Sequence, residues 1–391
     1  MADHAAQYRA NVETMLRVAG AVLLMGGLGT LYSFSVFVSY LEPQYGDRAA
    51  ISGIFSAAVF FFAVGMLVGP RLKLPDAGAA MSIGALAAGG IALAGTGHSY
   101  LSILIGFGVL FGLANGLGYS LSLKVVQAAP AARTGTLTGI AVASYMLGSI
   151  LGAPLLATSL SVFGYGTTLA MLAGVLLFVG AIVFVLLRAG GGTHDGNEET
   201  GSKTALPSGR DYAKLWTCFF FSSIAGVTAL GHAAPLVASF GGTDRNGVVA
   251  ASLCALGNGA GRLAGGWLCD RLKGGEVLGA ASAVILMAAV AMLAAPTTTV
   301  ALIGLAAVGI GYGCIASALP SAIANTYGVA SVGRIYGRLF TAWGAAGLFG
   351  PFAAGWLFEL VGDYRPALVI TATAGAIAML AGRSFRRLPA K

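Results

Sequence analysis

Apolar runs of about twenty residues recur along this chain, set apart by short polar, glycine or proline breaks. A helix rising about 1.5 Å per residue crosses bilayer hydrocarbon in about 20 residues, so each run predicts one span. Twelve spans are predicted, over 15–40, 50–70, 77–97, 100–126, 134–161, 167–188, 214–238, 247–268, 276–295, 298–325, 334–358 and 366–384. Most breaks are short. One is long and polar: RAGGGTHDGNEETGSKTALPSGRDYAK, Arg188 to Lys214, follows the sixth run and leaves two groups of six. The pattern therefore predicts an all-α membrane protein, with a six-helix half at 1–188, a linker at 189–213 and a second six-helix half at 214–391. The polar start, MADHAAQYRANVETMLR, lacks the short apolar core and cleavage site of a leader, so the first run is expected to be retained.

Composition agrees with that reading. Hydrophobic residues make up 57% of the chain and charged residues 9%, where a soluble domain carries about 25% charged. Sixty glycines fit membrane helices, whose backbones approach closely at small residues. The net charge of +8 would fit a nucleic-acid partner only if the basic residues clustered on one surface, and they segregate by side of the membrane instead. With the N-terminus inside, eighteen of the 22 Lys and Arg flank the spans on the inner side, among them Lys73, Arg133, Lys203, Arg386, Arg387 and Lys391. The outer side receives Arg48, Arg245 and Arg365. A multi-pass inner (plasma) membrane protein with both termini in the cytoplasm is expected, with the lipid bilayer as its surroundings and no nucleic acid as partner. Cys218, Cys254, Cys269 and Cys314 lie in or beside apolar runs without paired spacing, which argues against a disulfide framework and a metal site.

The halves also repeat. GSILGAPLLATSLSVFGYGTTLAM from Gly148 sits over AAGLFGPFAAGWLFELVGDYRPALVI from Ala345, with Gly152 over Gly350 and Gly164 over Gly362. In the second and eighth spans GMLVGPRL, from Gly65, sits over GRLAGGWL, from Gly261. Two six-helix halves in parallel repeat resemble the major facilitator architecture, which implies a substrate site near the membrane midplane between the halves. GRLAGGWLCDRLKG, after the eighth span, resembles the G-x-x-x-D-R loop motif of that superfamily, making Gly266, Asp270 and Arg271 a candidate gating motif. Its first-half counterpart, GPRLKLPD, is degenerate.

The twenty-second basic residue is Arg262, inside the eighth span. Every acidic residue falls in a tail, a loop or the end turn of a span, and His4, His98 and His194 are peripheral. Arg262 and His232 are thus the embedded ionisable groups apart from tyrosines and cysteines. A charge at depth costs at least about 2.5–3.5 kcal/mol and usually marks a substrate path. Met66 occupies the equivalent place in the first half, so packing of the repeat does not demand a cation there. With no embedded acid in the sequence, the simplest counter-ion is the cargo, and a guanidinium suits a carboxylate. The other reading is a structural arginine tied to the loop motif. Asn258 lies one turn from Arg262 on the same face, placed either to orient the guanidinium and meet substrate or to bond a neighbouring helix. Asn115 and Tyr119 in span four, Tyr312 in span ten, Leu28, Tyr32 and Ser35 in span one, Tyr145 in span five and Trp343 in span eleven are further lining candidates, each open to a plain packing role. His232 titrates near physiological pH when unperturbed, and stands as either a proton relay or a hydrogen-bonded packing histidine.

Together, GTLYSFSVF in span one and the span-eight arginine preceded by a polar residue resemble the monocarboxylate transporter and oxalate–formate antiporter branch of the major facilitator superfamily. The resemblance implies that Arg262 binds the substrate carboxylate and that Tyr119 and Tyr312 line the site. It departs in three places: there is no span-one lysine, Asn258 stands where animal carriers have aspartate, and RLFTAWGAAGLFG has no span-eleven lysine. One embedded cation suits one negative charge. The expectation is a secondary transporter of small monocarboxylates such as lactate or pyruvate, a symporter with protons working as a monomer without cofactor or metal, and not an enzyme. An exchanger of oxalate and formate type, or of other organic anions, is the alternative.

Overall fold

The computed structural model describes residues 2–45, 48–72, 74–96, 99–129, 134–191 and 206–385. The middle of the expected linker (192–205), His98, His194 and the six basic residues Lys73, Arg133, Lys203, Arg386, Arg387 and Lys391 lie outside them. The described chain is helical: α1 (Ala2–Leu28), α2 (Ser35–Tyr45), α3 (Arg48–Val68), α4 (Asp76–Gly95), α5 (Tyr100–Ile103), α6 (Gly112–Gln127), α7 (Thr134–Ala189), α8 (Gly209–Ser239), α9 (Asp244–Cys269), α10 (Gly274–Ala294), α11 (Thr298–Tyr327), α12 (Val329–Val361) and α13 (Arg365–Arg383).

Ten helical stretches of the described residues are long and apolar enough to cross a membrane. Two features reconcile this number with twelve predicted spans. The 56-residue α7 counts once, yet its helix breaks at Gly164, where φ is 76°, a value that favours glycine. Spans five and six were expected on either side of that point. The 26-residue α9 corresponds to span eight, and Arg262 and Asn258 lower its hydropathy below that of its neighbours. The first span differs most from expectation. Helix begins at Ala2, well before residue 15, and runs to Tyr45 through a tighter 3₁₀ turn at Gly29–Phe34, because helical hydrogen bonding does not stop where the apolar run begins.

The chain forms two compact units. The first comprises Met1–Ala131 with Ser144–Thr204, the second Ala132–Ala143 with Ala205–Lys391. Within the first, span four is α5, a π-helical segment at Leu104–Phe111 and α6. The π turn shifts the backbone register, and the Asn115 side chain takes up the Phe111 carbonyl by donating Nδ2–H to it at 2.9 Å. Asp76, in the first turn of α4, is buried between two cations: Arg17 Nη2 at 3.0 Å and Lys124 Nζ at 2.7 Å. Within the second unit, α9 and α11 meet backbone to backbone. Side-chain atoms added at Gly257, Gly261 and Gly265 would run into the Ala306, Ile310 and Cys314 carbonyls of α11. In return, Gly309 and Gly313 of α11 lie on the backbone of Cys254 and Asn258. Spacing of four places these small residues on one face of each helix. An apolar cluster that includes Val237, Cys254, Leu305, Val308 and Leu368 fills the interior nearby.

Candidate functional site

The candidate residues fall into a group in each unit. In the first, the 3₁₀ turn after α1 presents Tyr32 to Tyr145, ring centroids 5.5 Å apart and edge-on. Tyr145 also lies 5.8 Å from Tyr119 and 6.0 Å from Phe62. Its hydroxyl donates to Asn115 Oδ1 at 2.7 Å, and the Nδ2 of the same amide is held by the Phe111 carbonyl. Tyr32, Asn115, Tyr119 and Tyr145 are thus gathered into one aromatic group carrying fixed hydroxyl and amide dipoles. Leu28 is buried over Gly118 of α6, in the position of a packing residue. The side chain of Ser35 lies outside the described residues.

In the second unit, Arg262 is only 4% exposed. Its Nε donates to Asn258 Oδ1 at 2.7 Å, and its Nη1 donates to the Val142 carbonyl, in the first turns of α7, at 3.0 Å. These two bonds from the guanidinium go to neutral acceptors of the protein, because its N–H donors at depth draw on nearby oxygens. Asn258 is 0% exposed and orients the guanidinium, while its Nδ2 meets no acceptor. One helix away, Trp343 Nε1 donates to the Tyr312 hydroxyl at 2.7 Å. Both are buried, and the Tyr312 ring lies against Gly226 of α8.

The loop motif is a clamp. The Asp270 carboxylate accepts the Gly135 N–H at 2.8 Å, the Thr136 N–H at 2.7 Å and the Thr136 hydroxyl, at the start of α7. The first N–H groups of a helix lack intrahelical partners and carry the positive end of its dipole, so a carboxylate belongs there. Gly266 lies against Gly135 and Gly139, which lets the two helices approach closely enough for these bonds. Arg271 turns outward, its guanidinium 4.0 Å over the Trp267 ring.

His232 on α8 contacts two groups absent from the sequence reading. Nε2 lies 3.0 Å from the Pro351 carbonyl and Nδ1 3.0 Å from the Tyr364 hydroxyl. The Val142 and Pro351 carbonyls left no sequence signal, since any residue offers a backbone oxygen. Tyr364, in VGDYRP, was visible only as a polar aromatic between two spans. The described residues hold no group of three or more His, Cys, Asp or Glu able to bind a metal.

A polytopic helical chain in two units, with a cation and oriented dipoles set into its spans, defines a membrane transporter. Residues 18–337 match the model of the Major Facilitator Superfamily, and the chain belongs to that family. It is 24% identical over 344 residues, 84% of each chain, to the uncharacterised MFS-type transporter YhjX of Escherichia coli strain K12. Among solved structures it resembles FucP in the outward conformation, with a TM-score of 0.73, 17% identity and coverage of 96% of this chain and 100% of that one. The human organic anion transporter MFSD10 matches with a TM-score of 0.70 and 15% identity over 96% and 99% of the chains. The proton:xylose symporter XylE gives 0.70 and 16% over 96% and 95%. At these identities the structures share the fold.

Proposed function

We propose that the chain is a secondary transporter of small monocarboxylates, working by alternating access as a proton symport, with the carboxylate taken by Arg262. The observation that supports this reading is the polarity of the buried group around it. Arg262 is cationic, and Asn258 turns its amide N–H2 away from the guanidinium with no acceptor to meet. A buried donor without an acceptor costs about 1–3 kcal/mol, a cost that an acceptor-rich anion of this size would remove. A single embedded cation favours one negative charge over two. Asn115, Tyr119, Tyr145 and Tyr32 are further proposed substrate-binding residues, and His232 is the proposed proton carrier.

The test is uptake of labelled pyruvate and lactate into vesicles holding Arg262→Ala. Losing two charge-assisted hydrogen bonds to a carboxylate corresponds to about a hundredfold or more, so uptake should fall to background while the purified variant stays monodisperse. Normal uptake by that variant would remove Arg262 from the site.

A further inference from the structure

Nε2 of His232 faces the Pro351 carbonyl at 3.0 Å, an atom that only accepts, so Nε2 carries the hydrogen of the neutral ring. Nδ1 is then the nitrogen that can take a proton, and the Tyr364 hydroxyl covers it at 3.0 Å. Both side chains border a small chamber of about 20 Å³. Its remaining lining, which includes Met292 of α10, Leu305 and Val308 of α11 and Leu368 of α13, neither titrates nor carries charge. A second cavity, of about 570 Å³, lies at the C-terminal ends of α8 and α12 and the start of α13. On the orientation expected from the basic residues, these are the outer ends. Asp363 and Arg365, on either side of Tyr364, are its charged wall residues, and they pair with each other at 3.5 Å. Phe358 belongs to the same wall and stacks on the Tyr364 ring, with centroids 4.6 Å apart and planes at 26°. Tyr364 itself is only 3% exposed. Phe358 and Tyr364 thus form a chain of contacts from the open cavity to Nδ1.

We infer that the Phe358–Tyr364 pair is the gate through which His232 takes its proton from the outer cavity, an inference that rests on the carrier role proposed above for His232. Phe358 is the positioning residue, since its ring holds the phenol over Nδ1. When the pair parts, water from the cavity reaches the Nδ1 lone pair. A proton passes from that water to Nδ1, Nε2 keeps its hydrogen, and the imidazole becomes the cation. When the pair closes again, Tyr364 separates the charged ring from the outer water.

Hydrogen–deuterium exchange at the ring carbon between the two nitrogens of His232 tests this, because it requires solvent at a protonated ring. It is read by mass spectrometry on the purified full-length protein in heavy water. Phe358→Ala should exchange there about 2- to 10-fold faster than wild type, the worth of one stacked aromatic pair. Backbone amide exchange in α9 should stay as in wild type, which a general loosening would not allow. Phe358→Tyr keeps the ring and should match the wild type at His232. If Phe358→Ala does not fold, Phe358→Leu, which fills more of the space without a ring to stack, decides. An unchanged rate in the folded variant, or an equal rise in Phe358→Tyr, overturns the gate. The four native cysteines are buried, so the side of entry can be read from Phe358→Cys with a membrane-impermeant methanethiosulfonate. Reaction from outside sealed cells is expected, and reaction from the inner side alone overturns outer entry. Should His232→Gln concentrate pyruvate under a proton gradient as well as wild type, the carrier reading falls and this inference with it.

Discussion

His232 sits between an atom that can only accept and one that can do either. The Pro351 carbonyl accepts, so Nε2 carries a hydrogen, and in the neutral ring Nδ1 accepts the Tyr364 O–H. Burial pushes the Tyr364 phenol above its usual pKa, so that O–H keeps its proton. When the ring gains a proton, Nδ1–H donates back to the Tyr364 oxygen once the phenol hydrogen swings away. In the proposed role the imidazole would thus take up a charge while both ring nitrogens keep a hydrogen-bond partner. His232→Gln keeps a donor and an acceptor but cannot titrate. It should exchange labelled pyruvate across equilibrated vesicles and fail to concentrate it under an inward proton gradient; concentration equal to wild type would place coupling elsewhere. At this scale the sequence exposed Arg262 and His232 because an ionisable group in an apolar run is costly wherever it points. It did not expose their partners, since the Val142 and Pro351 carbonyls are features of backbone geometry rather than of residue type.

Helices carry the next level of argument, and α9 is the informative one. It is gripped on two sides, by α11 along Gly257, Gly261 and Gly265 and by the start of α7 along Gly266 and Asp270. Glycine suits close packing of membrane helices, but residue type alone does not say which of Gly259 and Gly261 packs. The structure separates them: a Cβ at Gly261 would strike the Ile310 carbonyl and the Cys314 N–H, whereas one at Gly259 would meet nothing within 4 Å. Gly261→Ala should therefore destabilise by about 1–3 kcal/mol through overpacking. Gly259→Ala should be neutral or gain up to about 1 kcal/mol from helix propensity. Thermal unfolding of the two purified variants checks this, and equal midpoints would mean that α9 and α11 do not depend on backbone contact. Spans were legible at this level because twenty apolar residues have few alternatives. The 3₁₀ turn at Gly29–Phe34 and the π segment at Leu104–Phe111 were not, because they change hydrogen-bond register without changing hydropathy.

For the molecule as a whole, the twelve runs and the internal repeat pointed to the fold before any coordinates, because both are consequences of building a carrier from two similar halves. Their boundary was less legible. Residues 132–143 group with the second unit, and α7 continues into the first at Ser144. That depends on backbone N–H groups at the start of α7 meeting Asp270, and on the Val142 carbonyl meeting Arg262. Transport by alternating access, as proposed, requires contacts that break and re-form in each cycle, and the Asp270 clamp has a suitable strength. Hydrogen bonds to a charged group contribute about 1.5–3 kcal/mol each, enough to hold a state and few enough to release. Asp270→Asn keeps one acceptor oxygen but turns an N–H2 toward the donors at the helix start and removes the charge that faces its dipole. Asp270 lies roughly 12 Å along α9 from Arg262, so pyruvate binding measured by calorimetry should stay within about twofold of wild type. Turnover in proteoliposomes should fall by about tenfold, equivalent to about 1.4 kcal/mol. Unchanged turnover would exclude the clamp from the cycle. Loss of binding along with turnover would make Asp270 a support of the Arg262 site, and the two helices would then have to be treated as one rigid piece.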